Sequence, residues 1–440
     1  MKKTLASLAL IAAFAMPTHA SDLQEAVARD YNYLFSLYKH LHKNPELSFK
    51  EIETAKRLGD ELEMLGYEVT REFGGTGLVA VMENANGPTL LIRADMDALP
   101  VEEQTGVPYA STAKSTEQTG QEVSVMHACG HDVHMSVLVG TARRMEALKS
   151  EWSGTLILIG QPAEERGAGA RDMLADGLFE KFPRPDFNLA FHVSPTLEAG
   201  RVGFVSGYGF ANVDSVDIFV KGIGGHGAYP HMTKDPVVLG SQIVLALQTL
   251  MSREISPLDA GVVTVGAFHA GAKHNVISDG AHLQLTVRTY SDEVRTHLLE
   301  GIKRIVEGQA KSFGMPQTHM PEVKVKEAYT PSLYNHPELT ARVKKTIASE
   351  IGDGSAVDIA PVMGGEDFAR YGRAEPRIPS LMMRLGAVDP KTVKAAAEGG
   401  PSLPSLHSSR FAPEPEPTLK TGVRSMTAAA LDILSKDAQE

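Results

Sequence analysis

Cys129 is the lone cysteine of this 440-residue chain, and it stands in Met126-His127-Ala128-Cys129-Gly130-His131-Asp132-Val133-His134. Those nine residues gather one thiol, three imidazoles and one carboxylate. Gln161-Pro162-Ala163-Glu164-Glu165 follows with a pair of carboxylates. Thiolate, imidazole and carboxylate are the side chains that hold first-row transition metals such as zinc. A fold built around this chain therefore has to bring two distant polar motifs to one place, and a metal site is the leading expectation.

The flanking patterns indicate how. Residues 89–92, 155–159 and 189–191 are short uninterrupted apolar runs, as expected of strands buried on both faces of a helix-covered sheet. Asp95 and Asp97 follow the first run, Glu164 and Glu165 the second, and His192 the third. Ligand sites of open α/β sheets lie beyond the carboxyl ends of the strands, so the motifs converge where one site would be built. Helices are expected at 23–41, 49–66, 133–148, 339–351 and 418–434, and a further buried strand at 381–385.

The pattern changes near residue 212. Residues 214–221 alternate, with Val216, Ile218 and Val220 on one face. A helix at 237–254, strands at 262–268 and 282–290, a helix at 292–313 and a strand at 323–327 complete a β-α-β-β-α-β order, that of a ferredoxin-like unit. The expected fold class is thus α/β: a catalytic domain with a helix-covered, mostly parallel sheet, formed by residues 21–210 and 325–440, interrupted by an α+β lid at 211–324.

A catalytic metal needs several protein ligands and an open position. Cys129, His131, Glu165, His192 and His407 supply five, enough for two ions if one ligand bridges. A thiolate or carboxylate has lone pairs for two cations and a neutral imidazole does not, which favours Cys129, or else Glu165, as the bridge. Neighbouring residues of an extended segment point apart. The natural division therefore makes Glu165 the ligand and Glu164 the general base. The segment 395–417, rich in Pro, Ser and Ala, is expected to be a loop carrying His407 to the site.

These stretches are similar to the co-catalytic metallopeptidase and aminoacylase family, in its branch of hippurate hydrolases and indole-acetyl-amino-acid hydrolases. The resemblance runs, in order, through residues 41–49, 93–100, 127–132 and 161–165, then Gly224–His231, His274–Ile277, Met363–Phe368 and Leu406–Ser408. It implies two divalent metal ions (zinc, manganese, cobalt or nickel) on the five ligands, with Glu164 as base. Asp97 resembles the family's carboxylate that orients a metal-ligating histidine. His226 resembles a lid histidine that reaches the substrate carbonyl, often in the neighbouring subunit, and Asn275 a substrate-contacting lid residue. Asp95 stands where more distant relatives carry a ligand histidine. The polar insert 113–122 and the stretches around His407 look longer than in the family.

The implied activity is hydrolysis of the amide of N-acyl amino acids or similar small amides by a metal-bound hydroxide. A di- or carboxypeptidase shares that chemistry, and a periplasmic solute-binding protein shares the two-domain α/β layout but has no use for Glu164. Lys2 and Lys3, the apolar stretch 5–16 and Thr18-His19-Ala20 read as a signal peptide cleaved after Ala20, hence an exported, periplasmic or secreted protein. A net charge of −11 argues against nucleic acid or an acidic membrane as partner. A small-molecule amide and a homodimer through the lid are the partners expected.

Overall fold

The computed structural model describes residues 18–436. Most of the expected signal peptide, residues 1–17, lies outside the described residues. Among the described residues no helix is long and apolar enough to cross a membrane.

The chain begins with α1 (Thr18–Lys43) and α2 (Ile52–Met64), followed by β1 (Glu68–Phe73), β2 (Gly77–Asn84) and β3 (Thr89–Asp95). Then come α3 (His131–Ala147), β4 (Gly154–Gln161), β5 (Phe187–Glu198) and β6 (Val202–Phe204). The next stretch holds β7 (Asp214–Lys221), α4 (Pro236–Thr249), β8 (Gly261–Ala270), β9 (Gly280–Thr289), α5 (Asp292–Ser312) and β10 (Glu322–Val325). The chain closes with α6 (Pro337–Ile351), β11 (Ala356–Asp358), β12 (Ser380–Val388) and α7 (Pro415–Ile433).

One eight-stranded sheet has the order β1-β2-β4-β3-β5-β12-β6-β11. Its centre, β4-β3-β5-β12, is parallel. Successive strand residues point to opposite faces, and both faces are covered. Leu90, Ile92, Leu156 and Leu158 join one core with α1, α3 and α7, while Leu91, Ile157 and Ile159 join a second core with Phe73, Met173 and Phe368. That double burial is why these strands read as continuous apolar runs.

The inserted stretch forms its own antiparallel sheet, ordered β8-β9-β7-β10, with α4 and α5 packed on one face through Leu239, Ile243, Leu298 and Ile302. This is the ferredoxin-like α+β unit expected from the alternation, and the fold class is as anticipated. Three local features differ from the sequence expectation. β1 and β2 form an antiparallel edge; the burial of β1 alternates between exposed and partly buried residues, so no apolar run marks it. Residues 390–397, partly inside the expected 395–417 loop, are helical, with Asp389 capping Lys391 N–H. The insert 113–122 is largely a small hairpin, Lys114–Thr116 pairing with Glu122–Ser124.

Candidate metal centre

Strand register brings the polar motifs to one level. Asp95 pairs with Gln161 across β3 and β4, and Arg93 with Ala190 across β3 and β5. Two steps further along β5 comes His192, which pairs with Arg384 of β12. Gln161, Asp95, His192 and Arg384 thus form a row across four adjacent strands. β5 continues past His192 to Glu198, so His192 lies within its strand rather than after it.

The Cys129 motif enters from the side. Gly130 adopts φ 79°, a left-handed conformation that only glycine takes without strain, and it starts α3 at His131. His131 Nδ1 lies 2.7 Å from the Asp97 carbonyl oxygen. A carbonyl only accepts, so Nδ1 carries a proton and Nε2 is left buried with no hydrogen-bond partner. His192 is set up the same way: Nδ1 donates to the Val193 carbonyl at 2.8 Å, and Nε2 stands 3.5 Å from Cys129 Sγ.

Beyond β4, Ala163 at φ 48° turns the chain into a short 3₁₀ turn, Glu164–Arg166. Asp97 holds that turn: Oδ1 accepts from Glu164 N–H at 3.1 Å and Oδ2 from Glu165 N–H at 3.0 Å. Oδ2 also accepts from Ser48 Oγ at 2.6 Å. His407 arrives on its loop at φ 64°, with its N–H bound to the Ala128 carbonyl at 2.9 Å. Its Nε2 lies 3.3 Å from Glu165 Oε1.

The ligand atoms of Cys129, His131 and His192 lie within 4.8 Å of one another, as do those of Cys129, Glu165 and His407. Cys129 belongs to both sets, so a thiolate there can serve two ions. Excess negative charge also favours cations. Against burial, Asp95, Asp97 and Glu165 raise the His131 pKa to about 10. Burial, then Glu165, Glu164 and Asp95, push the Cys129 thiol well up. Bound cations reverse both tendencies. The residues present fit a metal pair.

Burial, then Glu366, Glu165 and Asp367, raise the pKa of the Glu164 carboxyl well above the usual range. A group perturbed in this way inside a cleft is suited to accept and return a proton. Asp95 Oδ2 stands 3.5 Å from His131 Nε2, and both its oxygens have closer partners. It accepts from Arg93 at 2.6 Å and from His134 Nδ1 at 2.6 Å, while His134 Nε2 accepts from Val193 N–H at 2.8 Å. Against burial, Arg93, then His131 and His134, hold its pKa well below the ordinary value.

Cys129, Glu164, Glu165, His192 and His407 line one cavity of about 720 Å³, together with Phe210, Arg288, Glu366 and Arg384. Its walls come from both the large sheet and the inserted unit. His226 and Asn275 do not line it. His226 is exposed in a two-residue strand, Gly225–His226, paired with Val276–Ile277 beside Asn275.

Arg93, Glu366 and Arg384 carried no role in the sequence reading. Arg93 and Glu366 had a signal, since they lie in the stretches 93–100 and Met363–Phe368. Arg93 donates to Glu366 at 2.9 Å, to Asp367 at 3.2 Å and to Gln161 at 3.0 Å, and so ties the floor of the cavity to β3 and β4.

Comparison with known proteins places this geometry. The profile of Peptidase family M20/M25/M40 matches residues 91–401. The chain is 37% identical over 341 residues to the hippurate hydrolase of Campylobacter jejuni, covering 77% of this chain and 84% of that protein. It is 34% identical over 423 residues to thermostable carboxypeptidase 2 of Saccharolobus solfataricus, covering 94% and 100%. The crystal structure of the Bacillus subtilis YXEP protein, a dinuclear metal binding peptidase from M20 family, matches with a TM-score of 0.74 at 30% identity over 92% of this chain and 99% of that one. The chain belongs to the M20/M25/M40 peptidase family and is a metal-dependent hydrolase.

Proposed function

We propose that the protein is an exported amidohydrolase that cleaves the amide bond of N-acyl amino acids or similar small amides. Two divalent cations would be held by Cys129, His131, Glu165, His192 and His407, with Cys129 shared. The observation that carries the reading is the clamp at Asp97, whose two oxygens fix the backbone of Glu164 and Glu165 while its carbonyl fixes His131. One residue thus sets a ligand, a second ligand and the base in register.

Such a metal pair supplies Lewis acidity toward the amide carbonyl and acidifies water. Glu164 takes the proton of the attacking water and returns it to the leaving nitrogen. Asp97 keeps Glu164 and Glu165 from exchanging places, and Arg93 holds Glu366 at the cavity floor. His226, brought by a second copy of the chain, would reach the substrate carbonyl, with Asn275 beside it. Two features support this. His226 is exposed and does not line its own chain's cavity, and Tyr229, Met232, Val237, Val238 and Leu245 of the same unit are exposed apolar side chains available to a partner copy. Export rests on Lys2-Lys3, the apolar stretch 5–16 and Thr18-His19-Ala20. Its check is the N-terminus of the secreted or periplasmic protein, expected at Ser21.

The deciding assay strips the protein with chelator, reloads it with Zn²⁺, Mn²⁺, Co²⁺ or Ni²⁺, and offers N-acyl amino acids and dipeptides. Turnover of N-acyl amino acids that vanishes with chelator and returns with metal is expected. Preference for peptides makes it a carboxypeptidase or dipeptidase, and no turnover under any metal sinks the reading.

A further inference from the structure

Arg384 lies in the middle of β12, in the apolar run Ser380–Val388, and is only 8% exposed. Its guanidinium makes no hydrogen bond and no ion pair with any described residue, and its Nε is buried without a partner. It lies over the face of Phe210, 4.8 Å from the ring centroid, and the acidic groups that act on its charge are Cys129 and Glu366, neither of them in an ion pair with it. It nevertheless lines the reaction cavity with Cys129, His192 and Glu366. Arg384 pairs with His192 on the neighbouring parallel strand. Paired residues of adjacent strands project from the same face, so the guanidinium stands beside a metal-ligating side chain.

A buried cation without a counter-ion is costly, and proteins pair such groups. Two other arginines of this chain obey the rule. Buried Arg93 meets Asp95, Glu366 and Asp367, and Arg295 is paired with Asp214. The other arginines of the cavity wall differ as well. Arg288 donates to Thr286 Oγ1 at 3.1 Å and to the Met363 carbonyl at 3.1 Å, and Arg166 is exposed. Arg384 is therefore the guanidinium of this cavity with no donor engaged and its Nε buried. Its planar fork matches a carboxylate.

We propose that Arg384 anchors a carboxylate of the substrate, and that the cavity therefore selects amides bearing a negative charge. This rests on the amidohydrolase reading of the same cavity. Two carboxylates have the required chemistry: the α-carboxylate of the amino acid released, and the far carboxylate of a dicarboxylic acyl group.

The test compares wild type, Arg384→Met and Arg384→Lys on two substrate pairs. N-acetyl-L-methionine against N-acetyl-L-methioninamide reads the α-carboxylate, and N-succinyl- against N-butyryl-L-methioninamide reads the acyl side. Wild type should prefer the charged member of at least one pair. In Arg384→Met that preference in kcat/KM should shrink by about 10²-fold, with the neutral member little changed, and Arg384→Lys should fall between. The pair affected names the carboxylate.

Equal losses on charged and neutral members overturn the proposal. So does loss of bound metal in a folded Arg384→Met protein, which would make Arg384 the counter-charge of Cys129. If neither variant folds, wild type alone decides, because no preference for charge in either pair also overturns it. Should wild type cleave no amide, the functional reading fails separately. Calorimetric binding of N-acetyl-L-methionine and of N-succinyl-L-methioninamide to wild type and Arg384→Met then tests the anchor directly. Loss of either in the variant supports it, and equal or absent binding of both overturns it.

Discussion

Glu164 and Glu165 are neighbours in sequence with different surroundings. Glu165 Oε1 faces His407 Nε2 at 3.3 Å, whereas Glu164, although also near His131 and Glu165, is the one of the pair that stands beside Glu366 and Asp367. The first arrangement is that of a ligand, the second that of a carboxyl kept ready to hold a proton. Removing a general base costs about 10²–10⁴ in rate, roughly 3–5 kcal/mol of barrier, without removing the electrophile. Glu164→Ala should accordingly keep its metal and turn over very slowly, and Glu164→Asp should recover part of the rate. Glu165→Ala should lose metal affinity, with partial rescue by excess metal. Metal analysis with kinetics on both variants checks this, and the opposite pattern would exchange the roles. The residue types of the ligand set were legible in the sequence because thiol, imidazole and carboxylate rarely cluster without a metal. Arg384 was not. Inside Leu381-Met382-Met383-Arg384-Leu385 a single basic residue reads as part of a buried strand, and only the absence of a partner in three dimensions singles it out.

Two junctions between elements hold Cys129 and His131 in place. At the first, Gly130 has φ 79°, and a Cβ there would lie 2.5 Å from Val193 Cγ2 on the strand that carries His192. A left-handed non-glycine residue costs about 1–2 kcal/mol before any clash. Gly130→Ala should lower the melting temperature by at least a few degrees, roughly as that cost implies, and reduce metal content, because α3 or β5 must move. Unchanged metal content in that variant would show that the junction does not set the ligands. At the second, His42 near the end of α1 donates to Asp132 Oδ2 at 2.6 Å on α3 and to Glu103 Oε1 at 3.0 Å. Burial would lower the His42 pKa, but the hydrogen bonds to Asp132 and Glu103 raise it to about 10. The folded value exceeds the unfolded one, near 6.5. The stabilisation is therefore complete below about pH 6.5 and lost as pH rises through about 10. His42→Gln should cost about 3–5 kcal/mol at pH 6, since it leaves two carboxylates short of their cation. The gap to wild type in denaturant titrations should narrow steadily toward pH 10, and a gap independent of pH would refute the charged pairing. Neither junction could be read ahead of the structure. The Gly130 turn and the His42–Asp132 pair depend on how α1 and β5 approach α3, and sequence spacing does not report that approach.

At the scale of the whole molecule, the chain separates its chemistry from both of its expected lid contacts, His226 and Asn275. The five ligand candidates and Glu164 all belong to the large sheet and its loops, whereas His226 is exposed on the inserted unit and Asn275 lies beside it. The two-part architecture was visible as a switch from uninterrupted apolar runs to strict alternation, because a strand covered on both faces and a strand covered on one obey different patterns. Which surface of the inserted unit would meet which cavity was not visible, since in the proposed dimer that is set by a second copy. If a closed two-fold dimer supplies His226 to its partner's cavity, the contribution is reciprocal. A His226→Ala chain would keep its metal and Glu164 but lack the histidine in its neighbour's site, and a Glu164→Ala chain would have the reverse defect. Each homodimer would be nearly inactive. In a hybrid, the site with intact Glu164 faces the chain with intact His226 and works. Random mixing makes half of the dimers hybrids with one working site of two, so the mixture should regain about a quarter of wild-type activity per site. Mixing should leave metal content as in the separate His226→Ala protein, equal to wild type. If His226 serves its own chain instead, every site in the hybrid has one defect and mixing restores nothing. Loss of metal in His226→Ala alone would make it a ligand and remove the basis of the trans arrangement.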